Sequence, residues 1–298
     1  MKNLKAINMI PRRDFKMIVH IPSSIIDVEK GLLKKTMVAG LIGRACGIFR
    51  VDVISLYKDP DSSNRSMRFI KKILDYMRTP HYLRRFIIPL DRDLRGVGIL
   101  PPLTTPNQIS EEDLDKDHVR EALVTKIERK VICLEAGLES EFCFKPSSRD
   151  FTGSLREGDI VLVAVSNRRI VDLIEKDVFL KNNYWSYDVA VNNSLRSSLE
   201  RFRNSLIIIS TRKGSYLTED LARSIVRDLK GKDLSIVFGS PDKDPDEIAE
   251  LEGWNLNELA NYSINTAPLQ GVRNIRTYEA LFITLSLINN MIYISKGI

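Results

Sequence analysis

The chain has 298 residues, of which 43% are hydrophobic and 28% charged, with a formal net charge of +6. This is ordinary globular composition, which excludes a disordered or fibrous protein, and the length suits two domains or one domain with an insertion. The modest basic excess is compatible with a polyanionic partner but does not require one.

Taken in chain order, "KMIVHI" (16–21) and "VDVISLY" (51–57) are apolar on both faces, as parallel strands covered by helices are. Between them, Leu33, Met37, Leu41, Ala45 and Ile48 mark a helical stripe in "EKGLLKKTMVAGLIGRACGIF". "RSMRFIKKILDYMRTPHYLRR" reads as a basic amphipathic helix and its exit, followed by the Pro-rich "GILPPLTTPNQ". From Val119 to Leu173 the pattern changes to short β-like pieces, "REALVTKI", "KVICLEA", "SEFCFK", "GDIVLVAVSN" and "RIVDLI". These predict a small five-stranded all-β barrel. Two further two-faced apolar runs follow, "SLIIIS" (205–210) and "LSIVFG" (234–239). The helix between them has Thr218 at its start, acids in its first turn and Gly231 beyond its end. A last helix opens near Thr277, with Tyr278, Leu281, Phe282, Leu285 and Ile288 at helical spacing. The alternation predicts an α/β domain with a parallel sheet, split as 1–92 and 175–298 around a barrel inserted at 93–174.

Three cysteines, Cys46, Cys133 and Cys143, cannot make a closed disulfide framework, so a reducing compartment is expected. His20, His81 and His118 stand at no ligand spacing from them, and no metal site is expected. "MKNLKAINMIPRRDF" lacks a signal-peptide core, and the apolar run from Leu281 to Ile294 is broken by Asn289 and Asn290. A soluble, cytoplasmic protein without membrane association is the expectation. No GxxxxGK[ST] phosphate loop is present, and "GVG" at 96–98 runs into "ILPP", which cannot open a dinucleotide-binding helix.

Three loops follow the C-terminal β pieces: Ser210-Thr211-Arg212-Lys213-Gly214, Gly239-Ser240-Pro241, and Asn265 through Arg276. In open parallel sheets ligands bind beyond the carboxyl ends of strands, and small residues leave backbone groups free to read a flat heterocycle. Ordinary turns are the alternative for any one of them.

"NTAPLQGVRNIRTYEA" (265–280) resembles the knot segment of the SPOUT-class methyltransferases. "LIGRACGIFRVD" (41–52), "ILDYMRTPHYLRR" (73–85), "GILPPLTTP" (98–106) and "YWSYDV" (184–189) are similar to the archaeal and eukaryotic RNA methyltransferases of that class. The resemblance implies an α/β trefoil-knot domain interrupted by an OB-fold-like barrel, a homodimer, S-adenosylmethionine as methyl donor and an RNA substrate, ribosomal RNA foremost. It places Thr211, Gly214, Gly239, Ser240, Asn265, Thr266, Leu269, Gly271, Ile275 and Thr277 around the cofactor. Gly271, Thr266 and Ala267 would permit threading, and Leu269, Val272 and Ile275 would wall the adenine. Thr277 is equally a helix N-cap.

Arg44 either snorkels at the surface or points at the target nucleotide, as an arginine on the corresponding helix does in the family. Arg44 and Arg276 are the catalytic candidates, although Arg276 is also placed to pair with Glu279. Arg84, Arg85, Lys71, Arg212 and Arg273 are the candidates for RNA contact, with Lys72 and Arg78 adding to the basic face. Phe142, Phe144 and Phe151 either stack on bases or fill the barrel core. The implied chemistry is direct methyl transfer to an RNA base nitrogen, uridine favoured, or to a ribose oxygen; a non-catalytic RNA-binding assembly factor on the same scaffold is the alternative. "TRKG" (211–214) is more basic than eukaryotic relatives lead one to expect.

Overall fold

The computed structural model describes residues 6–128, 131–145 and 155–295. In chain order its strands and helices begin with β1 (Ile10–Pro11), β2 (Met17–Pro22), α1 (Leu32–Ile48), β3 (Val53–Tyr57), α2 (Asn64–Arg78) and α3 (Arg84–Ile87). Next come β4 (His118–Glu128), β5 (Val131–Glu135), β6 (Phe142–Phe144), β7 (Ile160–Ser166), β8 (Arg169–Ile174), α4 (Lys176–Asn182) and β9 (Asn183–Tyr184). The rest are β10 (Asp188–Asn192), α5 (Leu195–Glu200), β11 (Ser205–Tyr216), α6 (Glu219–Asp228), β12 (Asp233–Phe238), α7 (Pro245–Leu251), β13 (Tyr262–Asn265) and α8 (Thr277–Ser295).

One structural unit comprises Asp14–Met77, Asp91–Pro102 and the described residues from Tyr187 onward. Its sheet has the order β10-β3-β2-β12-β11-β13, and every neighbouring pair is parallel. All six residues of β2 are buried, as are the last five of β12, so these strands need helices on both faces. The four two-faced apolar runs are these central strands. β10, short and half-exposed, gave no such signal.

One side of the sheet packs Tyr57, Ile207, Ile209 and Val237 against Leu195, Leu199, Ile248, Trp254 and Leu256. Within the sheet lies a buried polar chain. His20 Nδ1 is 2.7 Å from Ser198 Oγ and its Nε2 is 3.0 Å from Ser235 Oγ. Ser55 and Asn192 extend the chain on one side and Ser205 on the other. With no carboxylate among its partners, burial lowers the His20 pKa to about 3, so the imidazole is neutral.

α1 departs from the expected stripe. Its buried face is Thr36, Val38, Ala39, Gly40, Ile42, Gly43, Ala45 and Cys46. The small residues explain this: a Cβ on Gly40 would overlap the Leu100 side chain, and one on Gly43 would lie 2.8 Å from the Tyr187 hydroxyl oxygen. Leu33 and Ile48, read as core, are 56% and 53% exposed, with Met37 and Leu41 half-buried between them. α1 packs against α8.

The other unit comprises the described residues of Met1–Arg13, Arg78–Leu90 and Leu103–Ser186. The five β pieces of the middle segment form one antiparallel sheet in the order β6-β5-β4-β7-β8. One face buries Ala122, Val124, Ile132, Leu134, Val161, Val163 and Val165; the other packs Val119, Leu162, Ala164 and Ile174 on Phe179 and Trp185. Alternation along β4 and β7 supplies both faces. Phe142 and Phe144 stack on each other at 5.5 Å and pack against the first face, which is the core role. Phe151 lies outside the described residues.

Two cysteines are not free thiols. Cys133 and Cys143 face each other across β5 and β6 and form a disulfide; only Cys46, buried, is free among the described residues. The count of three cysteines pointed away from a bridge, but it ignored that one pair sits on adjacent strands. No helix is long and apolar enough to cross a membrane among the described residues.

Candidate active site

The carboxyl ends of β11, β12 and β13 open into a cleft of about 500 Å³, a size usual for small-molecule sites. Side chains from α8 and its neighbours hold the three loops in place. Tyr57 Oη donates to the Phe238 carbonyl at 2.6 Å, fixing the end of β12. One residue on, the Thr277 hydroxyl donates to the Gly239 carbonyl at 3.1 Å. Thr277 thus spends its side chain latching α8 to this turn rather than capping its own helix. The Glu279 carboxylate accepts the Arg276 amide at 2.8 Å at that helix start. Deeper in α8, the buried Thr284 hydroxyl meets Ser210 Oγ at 3.0 Å and Thr266 Oγ1 at 2.8 Å, tying the ends of β11 and β13 to one helix turn.

Gly239 is required where it stands, because a Cβ there would overlap the Lys243 carbonyl and approach Asp244 Cα to 3.1 Å. The turn that it permits leads into α7 through a capping box: Glu247 Oε2 accepts the Asp244 amide at 3.0 Å and the Asp244 carboxylate accepts from the Glu247 amide. Along β11 the register with β13 breaks between Ser210 and Ser215, which takes residues 211–214 out of the ladder. Asn265 bridges the bulge to the last loop: its Nδ2 donates to the Arg212 carbonyl at 3.0 Å, and its Oδ1 accepts the Ala267 amide at 3.0 Å.

Of the residues expected around a cofactor, Thr211, Gly239, Ser240, Asn265, Thr266, Ile275 and Thr277 line this one cleft. Three stand apart. Gly214 packs into the sheet, where a Cβ would fall 2.5 Å from Ile264 N. Gly271 is exposed, with open space where a Cβ would be. Leu269 is 95% exposed and carries the loop's left-handed conformation at φ +53°, a conformation that glycine usually takes. Val272 also faces outward at 58% exposure, leaving Ile275 as the apolar wall.

Arg212 and Arg273 line the cleft, and Arg212 Nη1 reaches the Arg273 carbonyl at 3.5 Å. Arg44 and Arg276 do not line it. Arg44, half-buried on α1, donates to the Pro102 carbonyl at 2.7 Å, and Arg276 lies 3.6 Å from Glu29. Lys71 pairs with Asp75 on α2. In the other unit, Arg84 Nε donates to the Thr79 carbonyl at 3.0 Å, and the exposed Arg85 guanidinium lies 4.5 Å from the Phe86 ring centroid.

Beside Lys213 of the basic 211–214 loop, the cleft gathers charges that sequence reasoning passed over: Asp242, Asp244, Glu247 and Lys243. The Lys213 ammonium lies 3.2 Å from Glu247, 3.3 Å from Asp246 and 3.6 Å from Asp244. Hydrogen bonds to Glu247 and then Asp246 raise its pKa, so it stays charged. The signal for the acids was present as "DPDE" (244–247), an N-cap with proline next and glutamate three residues on.

An α/β protein whose parallel strands end in a backbone-rich cleft belongs to the class in which ligands bind beyond the strands' carboxyl ends. The sequence comparisons say which member of that class: the chain belongs to the family described as "Putative RNA methyltransferase", whose profile matches residues 16–288. An uncharacterised protein of Haloarcula marismortui is 27% identical over 281 residues, spanning 90% of this chain and 96% of its own. The 28S rRNA (uridine-N(3))-methyltransferases of Mus musculus and Homo sapiens are each 26% identical over 92% of this chain, covering 76% and 78% of their own lengths.

Proposed function

We propose that the protein is an S-adenosylmethionine-dependent methyltransferase of ribosomal RNA, acting on the N3 nitrogen of a uridine. The observation that carries this reading is the cleft at the ends of β11, β12 and β13, in a chain whose residues 16–288 match an RNA methyltransferase family. When bound, the cofactor supplies an electrophilic methyl group on a sulfonium.

The residues present fit that molecule. Ile275, Ala267 and Ala280 give an apolar surface for the adenine ring, and the small residues beside them leave backbone groups within its reach. Asp242, Asp244 and Glu247 suit its positive charges, while Arg212 and Arg273 suit its carboxylate or an RNA phosphate. The transfer needs positioning more than covalent help, which is what three loops latched to one helix provide.

The same reading takes the segment from β11 through α8 as a trefoil knot and residues 93–174 as an OB-fold-like insert that helps to hold RNA. It also takes the active form as a homodimer. Leu33 and Ile48 on α1, Leu269 and Val272 in the loop, and Tyr293 and Ile294 on α8 are large apolar side chains more than half exposed in the single chain. A second copy burying them would account for both the exposed α1 stripe and the strained Leu269.

The test is incubation with S-adenosylmethionine and ribosomal RNA from a strain lacking the gene, followed by nucleoside mass spectrometry. New 3-methyluridine is expected. RNA binding with no methylated nucleoside would favour the non-catalytic assembly factor.

A further inference from the structure

α2 carries a second concave surface, separate from the cleft. It is a groove of about 590 Å³ lined by Arg65, Arg68, Lys71, Lys72, Asp75 and Asp93. The helix buries Met67, Ile70, Ile73, Leu74 and Met77, so these charged residues occupy its opposite side. They are not equivalent. Lys72 lies 2.6 Å from Asp91 and 2.7 Å from Asp93, whose hydrogen bonds raise its pKa. Lys71 is taken by Asp75. Arg65 and Arg68 are exposed, and neither has an ion-pair partner among the described residues. Along α2, two guanidiniums without ion-pair partners thus line the groove toward the N-terminal end of the helix, one turn apart, and two paired lysines follow them.

The N-terminal end of α2 is tied to the cleft. Lys243, which lines the cleft, forms an ion pair with Asp61 in the loop that leads into α2. Asp61 precedes Arg65 by four residues, so at most about 14 Å of chain separates them. A strand whose base entered the cleft would have its neighbouring phosphates within reach of this helix turn. Guanidiniums suit the role because they bind phosphate oxygens in pairs and cannot lose their charge.

We propose that Arg65 and Arg68 form a phosphate clamp that holds the RNA strand flanking the target nucleotide. The clamp rests on the RNA reading above and adds to it a specific path for the substrate. Lys71 and Lys72 shape the groove but are already neutralised by their carboxylates and add little to binding.

The test is fluorescence anisotropy of labelled polyuridylate, titrated over a range of salt concentrations with the full chain and two double variants. In R65Q/R68Q the slope of log Kd against log salt should fall by about 1.4, since each single-strand phosphate contact contributes about 0.7. Affinity at 0.1 M salt should fall about 25-fold by the same relation. K71Q/K72Q should stay within about threefold of wild type, as paired surface cations contribute little. Calorimetry with S-adenosylhomocysteine should be unchanged in both variants, showing an intact cleft. An unaltered slope in R65Q/R68Q, with wild type binding normally, overturns the clamp and leaves the methyltransferase reading standing. Failure of wild type to bind polyuridylate at low salt overturns both. Displacement by polyglutamate as effective as by polyuridylate, charge for charge, assigns the groove to an acidic protein and also overturns the clamp.

Discussion

Acidification should destabilise this protein in part through one buried side chain, His20. Its two ring nitrogens are occupied by Ser198 and Ser235, its ring meets Phe202 edge-on at 5.8 Å, and burial holds its pKa at about 3. In the unfolded chain the same imidazole has a pKa of about 6.5. Between these values the unfolded state binds a proton that the folded state does not, so stability rises with pH across the window and is lost as pH falls. The loss relative to pH 8 is about 1.4 kcal/mol at pH 5.5 and about 2.7 kcal/mol at pH 4.5. These figures hold for any folded pKa well below 4.5. Urea denaturation of wild type and H20Q at pH 7.5, 5.5 and 4.5 isolates the contribution, because carboxylate titration is common to both. The two curves should converge by these amounts as pH falls. Parallel pH dependences in the two proteins would refute the assignment of a neutral, proton-excluding histidine between β2, α5 and β12.

Other perturbations test other parts of the structure. Adding a methyl in G239A should force the 239–245 turn aside, at a cost of about 1–3 kcal/mol, and weaken cofactor binding by at least tenfold in calorimetry. Reducing the Cys133–Cys143 bridge, which spans ten residues of sequence, should lower the stability of the antiparallel sheet by about 2–3 kcal/mol while leaving cofactor binding intact. L33E/I48E should shift the particle from dimer to monomer in light scattering with little change in thermal stability, since both side chains are already more than half exposed in the single chain. L269G should relieve about 1 kcal/mol of left-handed strain yet weaken the dimer.

How legible all this was in the sequence depended on what each element buries. β2, β3, β11 and β12 were visible because strands covered on both faces read as unbroken apolar runs. The five strands of the antiparallel sheet were visible through alternation and turn residues. β10 was not, since a short edge strand with two of its five residues exposed has no strong pattern. The α1 stripe misled for a physical reason: a helix that packs through Gly40 and Gly43 buries its small residues, leaving larger apolar ones outside.

In the candidate site, the order of the three loops was readable, and so was the loop before α8. The division of labour inside that loop was not. Which of Leu269, Gly271 and Ile275 faces the cleft depends on a single left-handed residue, and glycine was the natural expectation for it. The latches made by Thr277 and Thr284 join segments tens of residues apart, which local patterns do not encode.

The most direct test of the account is isothermal titration of S-adenosylhomocysteine into the wild-type chain and into A267W, which puts an indole into the cleft at a position that is not part of the core. The account predicts saturable binding at one site per chain in wild type and none in the variant, with both proteins melting alike. Equal binding by the two, or no binding by wild type at millimolar ligand, would contradict the claim that the ends of β11, β12 and β13 hold the methyl donor.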